Sequence, residues 1–388
     1  MSSEWTNSTL GEFVRFQRGH DLTADEQKSG VIPVMGSAGQ NGTHNESKAN
    51  GPGLVVGRSG ASIGRVHWSP VDFWPHNTCL YVTDFLGNSP RFVFYLLQTL
   101  NLATYNSGSA QPSLNRNYIY SIKVCVPIRA EQDAIAELLE AFDDRIALLR
   151  ETNTTLEAIA QALFKSWFVD FDPVRAKLEG RVPEGMDEAT AVLFPDSFEE
   201  SALGLSPRGW RVGRVDDLVE LAYGKALKAS DRTAGSVPVY GSGGVTGYHN
   251  QAFVCEPSVI VGRKGTVGSL YWEDRPFFPI DTVFYVKTSK PLTYCFYQLA
   301  RLGLKDMNTD GAVPGLNRNN VYRLMIVLPP DEILAKFDAV ASILREKIFS
   351  NIEQIDSLST LRDTMLPRLI SGQLRLPEAE TILEEAIA

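Results

Sequence analysis

The sequence lacks the features that assign many chains to a class at first sight. Its 388 residues contain no apolar run of about 18 residues, which a membrane-spanning helix requires. The N-terminus shows no charged segment followed by an apolar one, as a signal peptide would. The four cysteines form no CxxC pair, so we expect no cysteine zinc site and predict a reduced chain in the cytoplasm.

Motifs of catalysis and of cofactor binding are also missing. There is no Gly-x-x-x-x-Gly-Lys-Ser/Thr loop, no His-Glu-x-x-His pair, no Gly-x-Ser-x-Gly elbow and no Asn/Asp-Pro-Pro-aromatic tetrapeptide of amino-methyltransferases. Gly241–Gly244 is rich in glycine, but no obvious helix follows it, which argues against a dinucleotide site. We therefore predict that the chain is not an enzyme by itself and holds no metal or cofactor.

What the sequence does contain is one pattern written twice. Residues 32–45 recur as residues 237–250, with eight of fourteen positions identical at an offset of 205. Further matches follow in the same order, at offsets that fall from 205 to 202. They pair Trp5 with Trp210, Gly19 with Gly224, Gly57–Gly60 with Gly262–Gly265, Phe73–Pro75 with Phe277–Pro279, and Leu114–Asn117 with Leu316–Asn319. Because this period is far too long for a solenoid, each copy is predicted to be a domain with its own core.

Short apolar runs broken by Gly, Pro, Asn and Ser predict strands in each copy, with one helix among them. The predicted strands are Leu54–Val56, Cys79–Val82, Ile122–Val126, Ser258–Val261 and Thr282–Val286, and the predicted helices are Pro90–Asn101 and Pro291–Gly303. Each copy is therefore expected to form a small, β-rich α+β domain.

Each copy continues into a helical segment in which mostly apolar residues follow steps of three and four. This spacing indicates a coiled-coil seam. The first seam contains Phe142, Ile146, Leu149, Asn153, Leu156, Ala160, Leu163 and Trp167, and the second contains Leu344, Ile348, Asn351, Ile355, Leu358, Arg362 and Met365. Asn153 and Asn351 lie on the seam, where a buried Asn can fix the register at some cost in stability. The alternative is two amphipathic helices that pack separately on their own domains.

These patterns divide the chain into six segments. They are a first domain at 1–130, a central helix at 131–172, a crossover linker at 173–209, a second domain at 210–330, a distal helix at 331–370 and a C-terminal tail at 371–388. The net charge of -9 divides unevenly: the two domains carry +2 and +4, whereas the other segments together carry -15. The domains therefore suit a polyanion, and the acidic helices suit protein partners.

Paired polar loops are the candidate binding sites. Gly-Arg-x-Gly turns after a strand present a guanidinium that can bind guanine or a phosphate, and Asn-Arg-Asn segments carry groups suited to adenine and guanine edges. Divergent loops at His20–Gly30 and Lys225–Gly235 are expected to carry specificity if the two copies read different sequences. The candidate DNA-contacting residues are Arg58, Ser59, Asn115, Arg116, Lys225, Lys228, Arg263, Lys264, Asn317 and Arg318.

Structural roles are the alternative for the same residues. The arginine of each Gly-Arg-x-Gly turn could pack on Trp68 or Trp272, and the asparagines could cap a helix or a turn. His44 and His249 recur beside turns, where a histidine is more often a satisfied structural group than a ligand.

The joint pattern resembles the specificity (S) subunit of Type I restriction–modification systems. Two domains with Pro-x-x-Gly-Ser…Gly-x-His-Asn, Gly-Arg-x-Gly, Phe-x-Pro and Leu-Asn-Arg-Asn, each closed by a long helix, carry the resemblance. Residues 156–173 resemble the central repeat region of that family, and residues 361–372 resemble the distal one. The resemblance covers essentially the whole chain.

The resemblance implies an α+β fold with two target recognition domains, separated by a pair of long helices that form an antiparallel coiled coil. Each domain would read one half of a bipartite site in double-stranded DNA. Methyltransferase (M) and restriction (R) subunits would be the protein partners, and S-adenosylmethionine, ATP and magnesium would belong to them. A scaffold whose twin domains bind proteins or glycans is the alternative.

The expected helix length adds a prediction about the target. About 35 helical residues span roughly 50 Å, which exceeds the roughly 34 Å of one DNA turn. We therefore predict that an unread spacer separates the two half-sites and that the coiled coil sets its length.

Overall fold

The computed structural model describes residues 5–107, 112–308 and 315–387, with side chains described up to residue 382. The predicted domain spans also contain residues 1–4, 108–111, 309–314 and 388, which lie outside the described residues. The chain divides into two compact units. The first unit comprises Met1–Leu149 and Gln354–Ala388, and the second unit comprises Arg150–Glu353.

The first copy of the repeat forms two small sheets, a two-stranded ribbon and short helices. Its strands are β1 (Thr6–Thr9), β2 (Arg15–Arg18), β3 (Ile32–Gly36), β4 (Gly39–His44), β5 (Gly53–Gly57), β6 (Val66–Ser69), β7 (Trp74–Pro75), β8 (Cys79–Asp84) and β9 (Lys123–Val126), and its helices are α1 (Leu10–Phe13), α2 (Pro90–Thr99) and α3 (Arg116–Ile119). The sheet orders are β2-β8-β5-β6 and β4-β3-β7, and β1 pairs with β9. All these pairs are antiparallel except β3 with β7.

The segment between the copies is largely helical. It consists of α4 (Arg129–Lys165), a π-helical turn (Ser166–Asp170), α5 (Asp172–Leu178), α6 (Glu188–Ala191) and a hairpin of β10 (Phe198–Ser201) with β11 (Gly204–Pro207). The predicted crossover linker therefore contains two short helices and a hairpin.

The second copy repeats the topology of the first. Its strands are β12 (Arg211–Arg214), β13 (Glu220–Tyr223), β14 (Val237–Gly241), β15 (Gly244–His249), β16 (Ser258–Gly262), β17 (Leu270–Glu273), β18 (Phe278–Pro279), β19 (Val283–Lys287) and β20 (Met325–Leu328), and its helices are α7 (Leu292–Ala300) and α8 (Arg318–Tyr322). The orders β13-β19-β16-β17, β15-β14-β18 and β12-β20 match those of the first copy strand for strand. A long helix, α9 (Asp331–Ile370), and a short one, α10 (Leu376–Ile387), follow.

The apolar runs found in the sequence form the central strands. Leu54 and Val56 of β5 pack in the main core of the first unit, whereas Val55 points to the other face, into a smaller cluster with Phe73. Both faces of β5 are covered, which explains why its run is continuously apolar rather than alternating. β16 is arranged in the same way, with Ile260 on the minor face. The predicted α+β class and the predicted repeat are confirmed.

The two long helices pack antiparallel, as predicted. In the first unit, Asp143 of α4 forms an ion pair with Arg362 of α9, with an Nη1–Oδ1 distance of 2.6 Å. In the second unit, Asn153 of α4 accepts a 2.7 Å hydrogen bond from Asn351 of α9. Further along α4, the ring of Phe164 packs 6.0 Å from that of Phe337 in α9. Residue numbers rise along α4 while they fall along α9, so the two helices run in opposite directions.

The predicted seam residues are all at least half-buried. The buried ones are Phe142, Ile146, Leu149, Ala160, Trp167, Ile348, Asn351 and Met365, and the half-buried ones are Asn153, Leu156, Leu163, Leu344, Ile355, Leu358 and Arg362. Arg362, the charged residue of the second seam, forms an ion pair with Asp143. A charged residue is thus accommodated because its partner lies on the facing helix.

The segment predicted as a C-terminal tail includes α10, which packs on the start of the first domain. Leu374 and Ala379 are buried in the core of the first unit. The guanidinium of Arg375 lies 5.6 Å from the centre of the Trp5 ring. Trp5, Leu374 and Ala379 therefore belong to one core.

The four cysteines are free thiols, Cys79 and Cys295 buried and Cys125 and Cys255 exposed. Burial raises the pKa of the Cys79 and Cys295 thiols to about 12, so both are protonated at neutral pH. No helix within the described ranges is both long and apolar enough to cross a membrane.

Candidate nucleic-acid interface

The Gly-Arg-x-Gly turns follow β5 and β16 and present their arginines at the ends of these strands. A Cβ on Gly57 would lie 2.0 Å from the carbonyl oxygen of Ser62, so this position requires glycine. The Arg58 amide donates to Thr78 O at 2.9 Å, and the Arg263 amide donates to Thr282 O at 2.9 Å. Equivalent backbone bonds thus fix both arginine residues.

The Leu-Asn-Arg-Asn segments lie directly against these turns. The Leu114 amide donates to Arg58 O at 2.7 Å, and the Leu316 amide donates to Arg263 O at 2.8 Å. The two motifs of each copy, more than 50 residues apart in sequence, therefore form one site.

The asparagines at the start of these segments are helix caps. Asn115 Oδ1 accepts from the Asn117 amide at the start of α3, and Asn317 Oδ1 accepts from the Asn319 amide at the start of α8. The capping role, one alternative from the sequence, is confirmed for both. The capping bonds occupy the Oδ1 atoms, and both side chains are exposed to solvent.

Each copy forms an open cleft at this site. The first cleft, of about 650 Å³, is lined by Gln17, Arg18, Gly19, His20, Asp21, Arg58, Leu80, Ser107, Ser113, Leu114, Asn115, Arg116 and Asn117. The second cleft, of about 320 Å³, is lined by Tyr223, Arg263, Lys264, Gly315, Leu316, Asn317, Arg318 and Asn319. Seven of the ten candidate residues thus line two equivalent clefts.

The other three candidates lie outside the clefts. Ser59 is half-buried and pairs through its backbone with Ser113, next to the first cleft. Lys225 and Lys228 are exposed on the loop after β13 and do not line the second cleft.

The cleft arginines are held by backbone carbonyl groups. Arg116 Nη1 donates to Phe16 O at 2.9 Å, and its counterpart Arg318 donates to Leu221 O at 3.4 Å. Arg58 Nη1 donates to Asn77 O at 3.4 Å, and Arg263 Nη1 to Asp281 O at 2.9 Å. A guanidinium carries five N–H donors, so each side chain is oriented and retains donors for a ligand.

The clefts differ at one position that reasoning from the sequence missed. In the first cleft this position is Arg18, whose Nη2 lies 2.9 Å from Asp21 Oδ1. In the second it is Tyr223. The guanidinium groups of Arg263 and Arg318 lie 4.9 and 4.8 Å from the centre of the Tyr223 ring. The two residues align at the offset of 205, immediately before Gly19 and Gly224, whereas the predicted divergent loops begin after these glycines.

The idea that the turn arginines pack on tryptophan is wrong. The guanidinium over Trp68 belongs to Arg91, at 4.6 Å, and the one over Trp272 belongs to Arg345, at 4.9 Å. Arg263 packs on Tyr223 instead. The long helical part of the chain supplies Arg345, so no pattern local to the turn could have identified this partner.

The recurring histidines have structural roles. His44 Nδ1 accepts the Lys28 amide at 3.0 Å, and His249 Nδ1 accepts the Thr233 amide at 3.0 Å. Each ring also packs edge to face on an aromatic residue, Trp74 for His44. This confirms the structural interpretation of both residues.

Both clefts carry an excess of positive charge. The hydrogen bond from Asn77, together with the nearby Arg18, lowers the pKa of Asp21, so this carboxyl is ionised at neutral pH. The first cleft then sets three guanidinium groups against one carboxylate, and the described residues of the second cleft include three cations and no acid. The described residues contain no cluster of metal-ligating side chains. The clefts therefore suit an anionic ligand.

A family model described as the Type I restriction modification DNA specificity domain matches residues 2–158 and again residues 207–364. The chain is 28% identical over 363 residues to the Type I restriction enzyme HindI specificity subunit of Haemophilus influenzae, covering 74% of this chain and 77% of that protein. It is 26% identical over 322 residues to the MjaIX specificity subunit of Methanocaldococcus jannaschii, covering 75% and 71%.

Among solved structures, the fold is similar to that of a Type I restriction–modification S subunit from M. genitalium. The TM-score is 0.62 at 17% identity, and the match covers 95% of this chain and 96% of the other. With two family matches that together span most of its length, the chain belongs to the family of Type I restriction–modification DNA specificity subunits.

Proposed function

We propose that this chain reads a bipartite site in double-stranded DNA, one half-site with each copy of the repeat, for a Type I restriction–modification complex. The observation that carries this proposal is the pair of equivalent, cation-rich clefts. Each copy holds two arginines at matching positions, oriented by backbone carbonyl groups, and each cleft is open to solvent. A ligand with two similar anionic halves fits such a pair, and duplex DNA offers them.

Replacing one arginine in each cleft tests the proposal. Arg58→Ala should weaken recognition of one half-site, and Arg263→Ala should weaken recognition of the other. A lost contact to a base costs about 1–3 kcal/mol, and a lost phosphate contact lowers the salt dependence of binding by about one unit. The measurement is sequencing of methylated sites in cells that express each variant with the methyltransferase subunit.

Matched controls separate a specific effect from a general loss of charge. Arg65 and Arg323 are exposed arginines of the two copies that do not line the clefts. Their replacement by Ala should leave both half-sites unchanged. If the cleft variants and the wild type give the same methylation pattern and the same salt dependence of DNA binding, the cleft arginines do not contact DNA.

We further propose that M and R subunits dock on this chain and that S-adenosylmethionine, ATP and magnesium bind to those partners. The absence of catalytic motifs from the sequence supports a non-catalytic role. The purified chain should then transfer no methyl group to DNA unless the M subunit is added. Methyl transfer by the chain alone would contradict this part of the proposal.

A protein- or glycan-binding scaffold is not favoured, because neither ligand explains paired arginine clefts in domains of net positive charge. The two ideas predict different salt dependence. Affinity for DNA should fall steeply as the salt concentration rises, in proportion to the number of phosphates contacted.

A further inference from the structure

We propose that the β3–β4 hairpin of the first copy and the β14–β15 hairpin of the second are the elements that read bases. This inference rests on the proposed function and assigns backbone contacts and base contacts to different elements of each copy. The arginine clefts, alike in both copies, contact the sugar–phosphate backbone that every half-site shares. The exposed hairpin side chains, which differ between the copies, contact the base edges that distinguish one half-site from another.

The two hairpins share one rigid frame. Gly39 and Gly244 adopt φ angles of +103° and +100°, which favour glycine, and they begin β4 and β15. An aromatic side chain contacts the carbonyl oxygen of the first residue in each turn. His67 Nε2 lies 3.2 Å from Ser37 O, and the Tyr271 hydroxyl donates to Ser242 O at 3.2 Å. The two turns therefore share one backbone conformation at these glycines, whereas the strands differ at Gly247 of β15, whose φ of +142° its counterpart Gly42 does not share.

The side chains that this frame exposes differ at every position. On β4 the exposed residues are Gln40, Asn41 and Thr43, and at the matching positions of β15 they are Val245, Thr246 and Tyr248. The residues around them, three glycines and the histidine, are identical. On the exposed strand positions the variation thus falls at these three residues, and the turn differs as well, with Ala38 exposed in the first copy and Gly243 in the second.

A β-bulge redirects one of these positions in each copy. Met35 pairs with Gln40 and Val34 with Gly42, so Asn41 is the extra residue of β4. β15 has a register shift in the same region: between the pairs of Tyr240 with Val245 and Pro238 with Tyr248, Thr246 and Gly247 stand against one residue of β14. Bulges re-aim a side chain and are frequent beside functional sites.

The bulged residue lies next to the arginine turn. A Cβ on Gly36 would lie 3.0 Å from Asn41 Nδ2 and 3.2 Å from Thr78 Oγ1. The carbonyl of the same Thr78 accepts the Arg58 amide. In the second copy, the corresponding point on Gly241 lies 3.0 Å from Thr246 Cγ2 and 3.5 Å from Thr282 Oγ1. Hairpin and arginine turn are thus adjacent in each copy, joined through Thr78 in the first and Thr282 in the second.

The divergent loops that the sequence suggested contact these hairpins. Gln27 Nε2 donates to Thr43 O at 2.8 Å in the first copy. In the second copy, Arg232, which matches Gln27 at the offset of 205, donates from Nη1 to Thr246 O at 2.7 Å. These loops brace the hairpins from one side.

The side-chain chemistry indicates what each hairpin reads. A two-stranded β-ribbon fits the major groove, where Asn and Gln amides bind adenine and apolar groups contact the thymine methyl. Gln40 and Asn41 therefore suit adenine in the first half-site. Val245, which is exposed, suits thymine in the second.

Exchanging the exposed residues between the hairpins tests the inference. The first variant is Gln40→Val, Asn41→Thr and Thr43→Tyr, and the reciprocal variant is Val245→Gln, Thr246→Asn and Tyr248→Thr. Each new residue already occupies the matching position of the same frame in the other copy, so both variants are expected to fold. Methylated sites are mapped in cells that express each variant with the methyltransferase subunit, and the salt dependence of DNA binding is measured on the complex.

The first variant should change the first half-site, with preference at the affected base pairs reduced at least about tenfold. Its second half-site and its salt dependence should match the wild type, since the clefts are intact. The reciprocal variant should do the reverse. An unchanged first half-site in the first variant, or a change in both half-sites, would overturn the hairpin assignment while leaving the proposed function intact. If the wild type itself directs no methylation, the proposed function fails, and the hairpin assignment fails with it.

Discussion

At the scale of single residues, the pair Asn153–Asn351 is a polar contact inside a mostly apolar helix interface. Asn351 is fully buried, and its Nδ2 donates to Asn153 Oδ1 at 2.7 Å. Asn153 in turn donates to Ile348 O at 3.3 Å, while Asn351 Oδ1 has no hydrogen-bond partner. A buried acceptor without a partner costs about 1–3 kcal/mol. The pair therefore lowers stability, but it disfavours any register that places one Asn against an apolar side chain.

Replacing both residues by Leu should raise stability. The double variant Asn153→Leu, Asn351→Leu removes the unpaired acceptor and adds apolar burial, and its Tm should rise by about 2–4 °C. The single variant Asn351→Leu removes the donor to Asn153 and should gain less. Thermal unfolding followed by circular dichroism measures both, and a double variant that melts below the wild type would contradict this account.

Single residues differ in how far the sequence could predict them. The steps of three and four identified Asn153, Asn351 and the rest of the seam, because helical periodicity alone determines which residues share a face. The ion pair of Arg362 with Asp143 joins residues 219 positions apart, and only the pairing of the helices brings them together. The partners of Arg345 and Arg263 were missed for the same reason.

At the scale of elements, α10 completes the core of the first unit. Gly372 adopts a φ of +73°, and a Cβ there would lie 2.9 Å from the Trp5 ring. This glycine lets the chain turn from α9 toward α10, whose Ala379 is buried beside Leu374. The sequence predicted a tail because a 12-residue helix is marginal by itself and forms here through packing.

Removal of residues 373–388 should destabilise the first unit. The deletion uncovers Trp5 and removes the buried Leu374 side chain, which alone contributes about 1.5–3 kcal/mol. Trp5 fluorescence should shift to longer wavelength, and Tm should fall. The difference spectrum between the truncated chain and its Trp5→Phe variant isolates the signal of Trp5. An unchanged Tm would show that α10 contributes nothing to the core.

The strands show the same limit on prediction from sequence. β5 and β16 were predicted because their buried runs are continuously apolar. β7 and β18 were not, since each is two residues long and pairs in parallel with a strand about 40 residues earlier in the chain. Without these strands, the hairpins would lack the third strand of their sheets. The clefts likewise depend on loops that come together only in the fold, although each arginine was visible in the sequence.

At the scale of the whole molecule, the two copies share one topology and differ at the positions expected to face a ligand. The matching sheets, turns and caps follow from the identical residues of the repeat. Differences that bear on binding include Arg18 against Tyr223, Ser59 against Lys264, and the three exposed strand positions of each hairpin. A duplicated domain that keeps its topology while such positions differ is suited to reading two different half-sites.

The paired helices lead to a prediction about the distance between those half-sites. Deleting residues 150–156 from α4 and residues 348–354 from α9 removes one heptad from each helix, together with both Asn153 and Asn351, and preserves the facing register. Seven residues correspond to about 10 Å of helix, or roughly three base pairs of DNA. If these helices set the distance between half-sites, the unread spacer should shorten by about that amount while both half-sites stay the same, because neither cleft nor hairpin is altered. Mapping methylated sites with the methyltransferase subunit present measures the spacer.

A deletion in α4 alone is the control, because it shifts the facing register of the helices. This single deletion should lower Tm sharply. An unchanged spacer in the paired deletion would mean that something other than the coiled coil sets the distance.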